Sequence, residues 1–217
     1  MMIKEPLQQT RVSDQIEQLL IQKVISLELP PGEMINETEL ANQFECGRTP
    51  LREALQRLIS ANLVVNIPHR GTFISELKLL DYIQLTESVS ILESGMAPLA
   101  AEKSTDEDLA ALEKNLADTA LAVREKKWLK VALLDLDFHM IIAQMTQNKY
   151  LAETTLRLHR LISRFLFVSL ARGMNFETSI QNHQEILDAF RSHDKEKARD
   201  LVYQHLVKAH ERIITAI

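Results

Sequence analysis

Apolar residues recur every three to four positions through most of this sequence, which is the spacing of helices that bury one face. The first such stripe runs through Val12, Ile16 and Val24, and the sequence Pro30-Pro31-Gly32 ends it. Asn36 is suited to begin a second helix, because its side chain can accept hydrogen bonds from the free N–H groups of a first turn. The pattern then predicts helices over 37–44 and 48–61 and short strands over 63–67 and 72–75.

A helix, a short turn, a second helix and a hairpin form the outline of a winged helix-turn-helix. The hairpin is predicted because its two apolar strands flank the polar tip Pro68-His69-Arg70-Gly71. In this fold the second helix of the pair enters the major groove of DNA by its N-terminal end. The pattern therefore predicts a DNA-binding domain whose hairpin tip reaches a phosphate or the minor groove.

Beyond residue 77, glycine and proline become scarce, and the pattern predicts about six helices. Five of the six prolines and three of the five glycines precede that residue. The joints between the predicted helices are short and polar, which favours an antiparallel bundle. We therefore expect a mainly α protein with a winged helix-turn-helix over 1–77 and an all-helical bundle over 78–217. The predicted bundle helices are 78–103, 106–125, 127–146, 149–172, 176–191 and 195–216.

Composition narrows the class of protein and its compartment. The chain has 217 residues, of which 46% are hydrophobic and 25% are charged, as in ordinary globular proteins. No run approaches the roughly 20 apolar residues of a membrane span, and the first residues lack the apolar core of a secretory signal. Cys46 is the single cysteine, which fits a reducing compartment. We expect a cytoplasmic protein with no membrane partner.

Positive charge is concentrated where the predicted DNA-binding element lies. The whole chain carries 25 basic and 30 acidic residues, and its net charge of −5 argues weakly against a nucleic-acid partner. Segment 47–71, however, has four arginines and one glutamate. Arg48 and Arg52 share a helix face, where arginine suits guanine edges and phosphates, although a solvated basic face is the alternative. The candidate DNA-binding residues are Arg48, Thr49, Arg52, Glu53, Arg57, His69, Arg70 and Gly71.

Three histidines and one aspartate fall on apolar helical stripes of the second domain. Asp135 and His139 are one turn apart and share a face, while His183 and His205 lie on two other helices. A buried aspartate is costly unless it is paired or ligated, so these side chains predict a site for one divalent ion. Imidazole with carboxylate suits Zn, Ni, Mn or Fe without choosing among them; the alternative is that each histidine is an ordinary core residue. The helical histidines expected to be surface or packing residues are His159, His193 and His210.

The first domain resembles the DNA-binding domain of the GntR family of bacterial transcription regulators. The resemblance implies that Arg48 and Arg52 contact DNA and that Gly71 approaches the minor groove. Cys46-Gly47 stands where the family usually has Val-Ser, and Asn62 stands where it usually has Gly. The matching segments are Leu29-Pro30-Pro31-Gly32-Glu33, Leu40-Ala41-Asn42-Gln43-Phe44, Arg48-Thr49-Pro50-Leu51-Arg52-Glu53-Ala54-Leu55-Gln56-Arg57-Leu58 and Arg70-Gly71-Thr72-Phe73-Ile74.

The second domain resembles the all-helical FCD ligand-binding domain of FadR-type GntR regulators, in its six-helix branch. Asp135-Leu136-Asp137-Phe138-His139 is similar to the Asp-x-x-Phe-His motif of that domain. His183 and His205 fall at its two later histidine positions. The resemblance implies that Asp135 and these three histidines bind a divalent metal and that a small-molecule effector binds next to it.

Many FCD domains carry an arginine for carboxylate effectors, four residues before a glutamate of the first bundle helix. With Glu93 as that glutamate, the arginine position is Val89 in this chain. We therefore expect Arg160 and Arg164 to bind the effector, a carboxylate or a related metabolite. The alternatives are that both arginines are outward-facing helix charges, or that a carboxylate binds the metal directly.

Together these features predict a regulator, expected to be a repressor, that binds a palindromic site in double-stranded DNA as a homodimer and responds to an effector. One alternative is a purely structural metal without an effector. Another is a metal-dependent hydrolase fused to a DNA-binding domain. The hydrolase is disfavoured because Asp137, the one candidate general base, is two residues from Asp135 and should face away from the metal. We expect no enzymatic activity.

Overall fold

The computed structural model describes residues 11–216, which form two compact units that divide between Glu76 and Leu77. Over the described residues the protein has nine helices and one two-stranded sheet. The mainly α fold predicted from the sequence is confirmed.

The first unit contains three helices and a β-hairpin. Its elements are α1 (Val12–Ile25), α2 (Glu37–Gln43), α3 (Arg48–Ser60), β1 (Val64–Ile67) and β2 (Gly71–Ile74). Asn36 caps α2, because its side-chain oxygen accepts hydrogen bonds from the backbone N–H groups of Thr38 and Glu39 at 3.1 and 3.2 Å. The strands are antiparallel, with Val65 opposite Phe73. The helix-turn-helix and wing are thus built from local signals in the sequence.

The buried core of the first unit brings its first helix, α1, together with α3 and with its last strand, β2. Leu20 and Val24 of α1, Leu51 of α3 and Ile74 of β2 are all buried. Asn62 follows α3 with φ +61°, a left-handed conformation that asparagine tolerates better than most residues. This turn leads the chain out of α3 and into the hairpin.

The second unit is a bundle of six helices joined by connections of two to five residues. The helices are α4 (Leu79–Lys103), α5 (Asp106–Arg124), α6 (Trp128–Met145), α7 (Lys149–Ala171), α8 (Glu177–Arg191) and α9 (Lys195–Ala216). Thr105 and Asp108 form a reciprocal capping box at the start of α5, and the side chain of Asn148 caps α7. The predicted bounds of the six helices differ from the observed ones by at most one residue, and at α5 and α7 these caps mark the start.

Helix packing in the second unit encloses polar as well as apolar side chains. Helix α4 packs along α9, and α6 packs against α7. The interior includes the apolar residues Phe138 and Phe190, and it also includes Glu93, which is 0% exposed. None of the described helices combines the length and the apolar character that crossing a membrane requires.

Candidate nucleic-acid interface and metal centre

The first two turns of α3 present the side chains that the sequence predicts to read DNA. Arg48, Thr49, Arg52 and Glu53 are all exposed there. The Arg52 Nε atom donates a hydrogen bond to Glu37 of α2 at 2.8 Å, while 65% of the Arg52 side chain stays exposed. An ion pair therefore links α2 to α3. It lies at the N-terminal end of α3, the end that enters the major groove of DNA in this fold.

The tip of the hairpin is exposed and tightly turned. His69 and Arg70 are exposed, and His69 has φ +61°. Gly71 has φ +117°, a conformation that side-chain-bearing residues rarely adopt. The turn therefore requires glycine at this position, and it presents an imidazole and a guanidinium side by side.

Arg57, which the sequence analysis placed among the DNA-binding candidates, is directed to α1. Its Nε atom donates to the carboxylate of Glu17, and its Nη2 atom donates to the backbone oxygen of Ser13 at 2.6 Å. The carboxylate of Asp14 lies 3.4 Å from the same guanidinium. Arg57 thus fastens α3 to α1, and a contact of its exposed part with DNA stays a prediction.

The structure brings together the four side chains predicted to bind a metal, and we call them the histidine cluster: Asp135, His139, His183 and His205. A ligand nitrogen from each of the three histidines lies within 4.8 Å of the other two. The Nε2 atoms of His183 and His205 are 3.0 Å apart, and Asp135 Oδ1 is 3.8 Å from His183 Nε2. The three histidines are at most 3% exposed. Helices α6, α8 and α9 thus converge on one point in the bundle.

The electrostatics of the histidine cluster suit a cation. Burial lowers the pKa of His183 and of His205 well below its usual value, so both rings are neutral and offer lone pairs. Burial raises the pKa of Asp135, since a lone carboxylate is poorly solvated there. A divalent ion reverses that penalty by supplying the missing opposite charge.

The distances also suit a transition metal. Metal–nitrogen bonds are about 2.0–2.1 Å long, so neighbouring ligand atoms around one ion lie roughly 3 to 4 Å apart. The His183–His205 and Asp135–His183 separations fall in that range. Two neutral imidazole nitrogens that face each other at 3.0 Å have no favourable contact unless a proton or a cation lies between them. The residues present therefore fit a divalent metal ion.

Glu93 and His159 complete the surroundings of His139, and the sequence analysis missed both roles. Glu93 Oε2 accepts a hydrogen bond from His139 Nδ1 at 2.6 Å, and Glu93 Oε1 accepts one from His159 Nε2. Burial disfavours the charged form of Glu93, but the two imidazoles outweigh it and hold the pKa of this carboxyl well below its usual range. His159, expected at the surface or in ordinary packing, is 2% exposed and belongs to this network.

The sequence contains a pattern from which the burial of Glu93 could have been predicted. Val89, Met96 and Ala100 are buried and mark the same apolar side of α4, so Glu93 is a carboxylate on an apolar stripe. The same argument identified Asp135. His159 likewise follows the buried Thr155 on α7 at helical spacing.

Phe138 of the Asp-x-x-Phe-His motif holds the ring of His183. The two rings stack with centroids 3.8 Å apart and an interplanar angle of 12°. Phe138 is fully buried, so the stack fixes the plane in which the His183 nitrogens lie. The motif therefore contributes two ligand candidates and a support for a third.

A small cavity with a volume of about 20 Å³ lies beside the histidine cluster. Its lining includes Asp135, His139 and His205, together with Arg212 of α9. Arg160 and Arg164, the predicted effector-binding residues, are not among the described residues that line it. Arg164 is 1% exposed and Arg160 is half-buried. The guanidinium next to the cluster thus comes from Arg212.

Each of the two units matches a different protein-family model. Residues 12–74 match the family described as bacterial regulatory proteins, gntR family, and residues 84–208 match the FCD domain. The chain belongs to the GntR family of regulators with an FCD domain. The matched region of the second unit contains the whole histidine cluster and Glu93.

Relatives of this regulator share most of its length. It is 29% identical to the Nta operon transcriptional regulator of Aminobacter aminovorans over 89% of this chain and 90% of the relative. It is 31% identical to the transcriptional repressor NanR of Enterobacter sp. (strain 638), over 94% of this chain and 85% of the relative. The families and relatives are transcriptional regulators, so the regulator is not an enzyme and the hydrolase alternative is set aside.

Solved structures show the same fold. E. coli McbR/YncC superimposes with a TM-score of 0.84 at 23% identity, over 95% of this chain and 98% of the other. A putative GntR regulator from Rhodococcus sp. RHA1 gives a TM-score of 0.75 at 21% identity, over 94% and 98% of the two chains. The fold of this chain is therefore shared with these solved structures.

Proposed function

We propose that the regulator is a metal-containing repressor whose DNA binding is controlled by a small-molecule effector, a carboxylate or a related metabolite. Asp135, His139, His183 and His205 would hold one divalent ion, Zn, Ni, Mn or Fe. The convergence of these four side chains from three helices is the observation that carries the proposal. When bound, such an ion supplies a Lewis acid with coordination positions open to an oxygen ligand.

The DNA-binding part of the proposal rests on the exposed side chains of α3 and the hairpin. Arg48, Thr49, Arg52 and Glu53 would contact bases and phosphates in the major groove. His69, Arg70 and Gly71 would approach a phosphate or the minor groove. Two relatives, NanR and RspR of E. coli (strain K12), are named transcriptional repressors, which supports repression as the mode of action. A chromosomal operator would place the regulator at work in the bacterial cytoplasm.

A homodimer reading a palindromic operator is supported by an exposed apolar surface on α4 and α9. Ile91 is 77% exposed, and Tyr203 and Ile214 lie beside it around a groove of about 380 Å³. Large apolar and aromatic side chains such as these are commonly buried in the core of subunit interfaces. We expect Ile91→Glu to convert a dimer into a monomer in light scattering, with unchanged helix content. A variant that stays dimeric would place the interface elsewhere.

A purely structural metal is the second candidate function, and the cavity beside the histidine cluster speaks against it. A structural zinc site is closed by four protein ligands. Here the cavity borders Asp135, His139 and His205, which leaves space next to the ion position. X-ray absorption of the metal-loaded regulator distinguishes the two: coordination by only four protein atoms favours the structural role, and additional oxygen ligands favour the effector site.

Elemental analysis of the purified regulator tests the metal site directly. We expect about one transition-metal ion per chain, and we expect its loss in His183→Ala. His69→Ala, which changes an exposed histidine of the other unit, serves as the control and should keep the ion. A folded wild-type regulator that binds DNA but takes up no metal from a solution of zinc or nickel would refute the site.

The effector's part in the proposal is tested with operator DNA. A bound effector must favour one arrangement of the regulator over another, because a ligand with equal affinity for both shifts nothing. We expect small carboxylates to change the affinity of the metal-loaded wild type for DNA and to leave that of His183→Ala unchanged. An identical change of DNA affinity in both proteins would show that the effector acts without the metal.

A further inference from the structure

The cavity beside the histidine cluster is bounded on one side by α9. His205 and Arg212 are seven residues apart on this helix, which is two turns, so both point to the same side. Both line the cavity, and the pair of cavity-lining residues Asp135 and His139 comes from α6. Arg212 thus lines the same cavity as three members of the histidine cluster.

Arg212 has hydrogen-bonding capacity that the described part of the protein leaves unused. Its Nη2 atom donates to Ser179 Oγ of α8 at 2.8 Å, which fixes the direction of the side chain. Its Nε atom is buried and has no hydrogen-bond partner among the described residues. A buried donor left without an acceptor destabilises the protein, so an acceptor that reaches this position would gain affinity from it. Arginine keeps its charge in proteins, so the favoured acceptor is an anion.

The charges around the cavity also require an anion once the ion is present. With the histidines neutral, a divalent ion, Arg212, Asp135 and Glu93 sum to one net positive charge. The group is buried, where an uncompensated charge is costly. A single negative charge on the ligand therefore neutralises the site.

We propose that Arg212 is the residue that recognises a small carboxylate in this cavity, where the ion held by the histidine cluster would offer the carboxylate a second partner. This inference rests on the proposed function, because it needs the ion to be held by the histidine cluster. It assigns to α9 the role that the sequence analysis gave to Arg160 and Arg164. A planar carboxylate suits both partners, since arginine donates two hydrogen bonds in one plane. The volume of about 20 Å³, close to that of one or two water-sized probes, selects a small head group.

Cobalt-loaded full-length regulator provides the test, because the visible absorption of Co²⁺ changes when a ligand enters its coordination sphere. We would titrate acetate into the wild type and follow the spectrum, with acetamide as the neutral analogue. We expect a saturable change with acetate and none with acetamide. In Arg212→Gln we expect the apparent Kd for acetate to rise roughly ten- to hundredfold, with cobalt content unchanged.

Matched variants keep the test specific. Arg157→Gln removes an exposed arginine of α7 and Arg160→Gln removes a half-buried one, and both should bind acetate like the wild type. Arg212→Lys retains the charge without the planar fork, so we expect an intermediate affinity. If Arg212→Gln does not fold, the lysine variant carries the comparison.

The outcomes separate this inference from the proposed function. Wild type that takes up no cobalt overturns the metal site and the inference together. Cobalt-loaded wild type whose spectrum ignores acetate overturns the inference and leaves the metal site standing. Equal acetate affinity in the wild type and both Arg212 variants also overturns the inference and leaves the metal site standing. A loss of acetate affinity that is confined to Arg160→Gln has the same meaning.

Discussion

Glu93 Oε2 accepts a hydrogen bond from His139 Nδ1 at 2.6 Å, and both side chains are at most 3% exposed. Because Nδ1 is occupied by this bond, the Nε2 atom of His139 is the one that faces the other members of the histidine cluster. A carboxylate in this position fixes the tautomer of the ring and raises its basicity as a ligand. Glu93 is therefore a positioning residue for the proposed ion.

Replacing Glu93 by glutamine tests this relationship. The variant keeps the size of the side chain but removes its charge, so we expect metal affinity to fall roughly ten- to hundredfold. Competition with a chromophoric chelator measures the change. Glu153→Gln, at an exposed position of α7, is the control and should bind the metal like the wild type. An unchanged metal affinity in Glu93→Gln would show that the hydrogen bond to His139 does not support metal binding.

The stack of Phe138 on His183 predicts an effect on both stability and metal binding. In Phe138→Leu we expect the free energy of unfolding to fall by about 1–2 kcal/mol, from lost packing and the lost ring contact. We also expect weaker metal binding, because the His183 ring loses its support. Phe190→Leu, at an equally buried position of α8, should lose stability alone. Urea unfolding and metal titration give the two numbers, and a similar metal affinity in both variants would argue against the support.

Arg48 is expected to act on DNA and to leave the stability of the fold unchanged. It is exposed on the first turn of α3, so its removal takes away no buried contact. In Arg48→Ala we expect a loss of about 1–3 kcal/mol in operator binding and no change in Tm. Fluorescence anisotropy with operator DNA and thermal unfolding measure the two effects. A fall in Tm with unchanged DNA affinity would assign Arg48 to the fold.

Arg57 is expected to behave in the opposite way. Its hydrogen bonds to Glu17 and Ser13 join α3 to α1, and the side chain is 38% exposed. In Arg57→Ala we expect the free energy of unfolding to fall by about 1–2 kcal/mol, as for lost hydrogen bonds that involve charge and some solvent. Operator affinity, measured well below the Tm, should change little. A large loss of DNA affinity at unchanged stability would instead assign Arg57 to the DNA-binding surface.

The metal-free regulator is expected to lose stability in mild acid. Burial lowers the pKa of His210 to about 4, whereas an unfolded chain titrates histidine near about 6.5. Between pH 6.5 and about 4 the unfolded state binds more protons than the folded state. The free energy of unfolding therefore falls as the pH decreases through this window, and it does not depend on this residue at higher pH. For this residue the loss is about 2 kcal/mol at pH near 5.

His210→Gln isolates that contribution. We expect the variant to lose less stability than the wild type when urea unfolding at pH 7 is compared with pH 5. The remaining loss belongs in part to His183 and His205, whose pKa values burial also lowers. His69→Gln, at an exposed position, should follow the wild type. Equal losses in wild type and His210→Gln would contradict the assignment.

Local signals account for the part of the fold that was predictable from the sequence. Helix bounds follow from apolar periodicity and from caps such as Asn36 and Thr105, which act within three residues. The convergence of Asp135, His139, His183 and His205 was predictable because each lies on an apolar stripe, and apolar stripes of a bundle meet in its core. The comparisons independently support the same family for both units.

The parts that were missed depend on which helices are neighbours. That Glu93 meets His139, or that Arg212 lies beside His205, follows from the packing of α4, α6 and α9, which no local pattern specifies. Arg57 is different. It is nine positions after Arg48, which is about half a turn around a helix, so periodicity alone places it on the opposite face.

The continuity of α4 has a mechanical consequence. Between Leu79 and Glu93 the helix contains neither glycine nor proline, so this stretch of about 21 Å is a stiff rod. One end of the rod is held at the histidine cluster through the hydrogen bond of Glu93 to His139, and the other end begins two residues after the end of the first unit. A tilt about Glu93 moves the first turn of α4 by roughly 1 Å for every 3°. A small displacement of Glu93, such as a ligand beside the proposed ion would cause, would therefore be amplified at the first turn of α4.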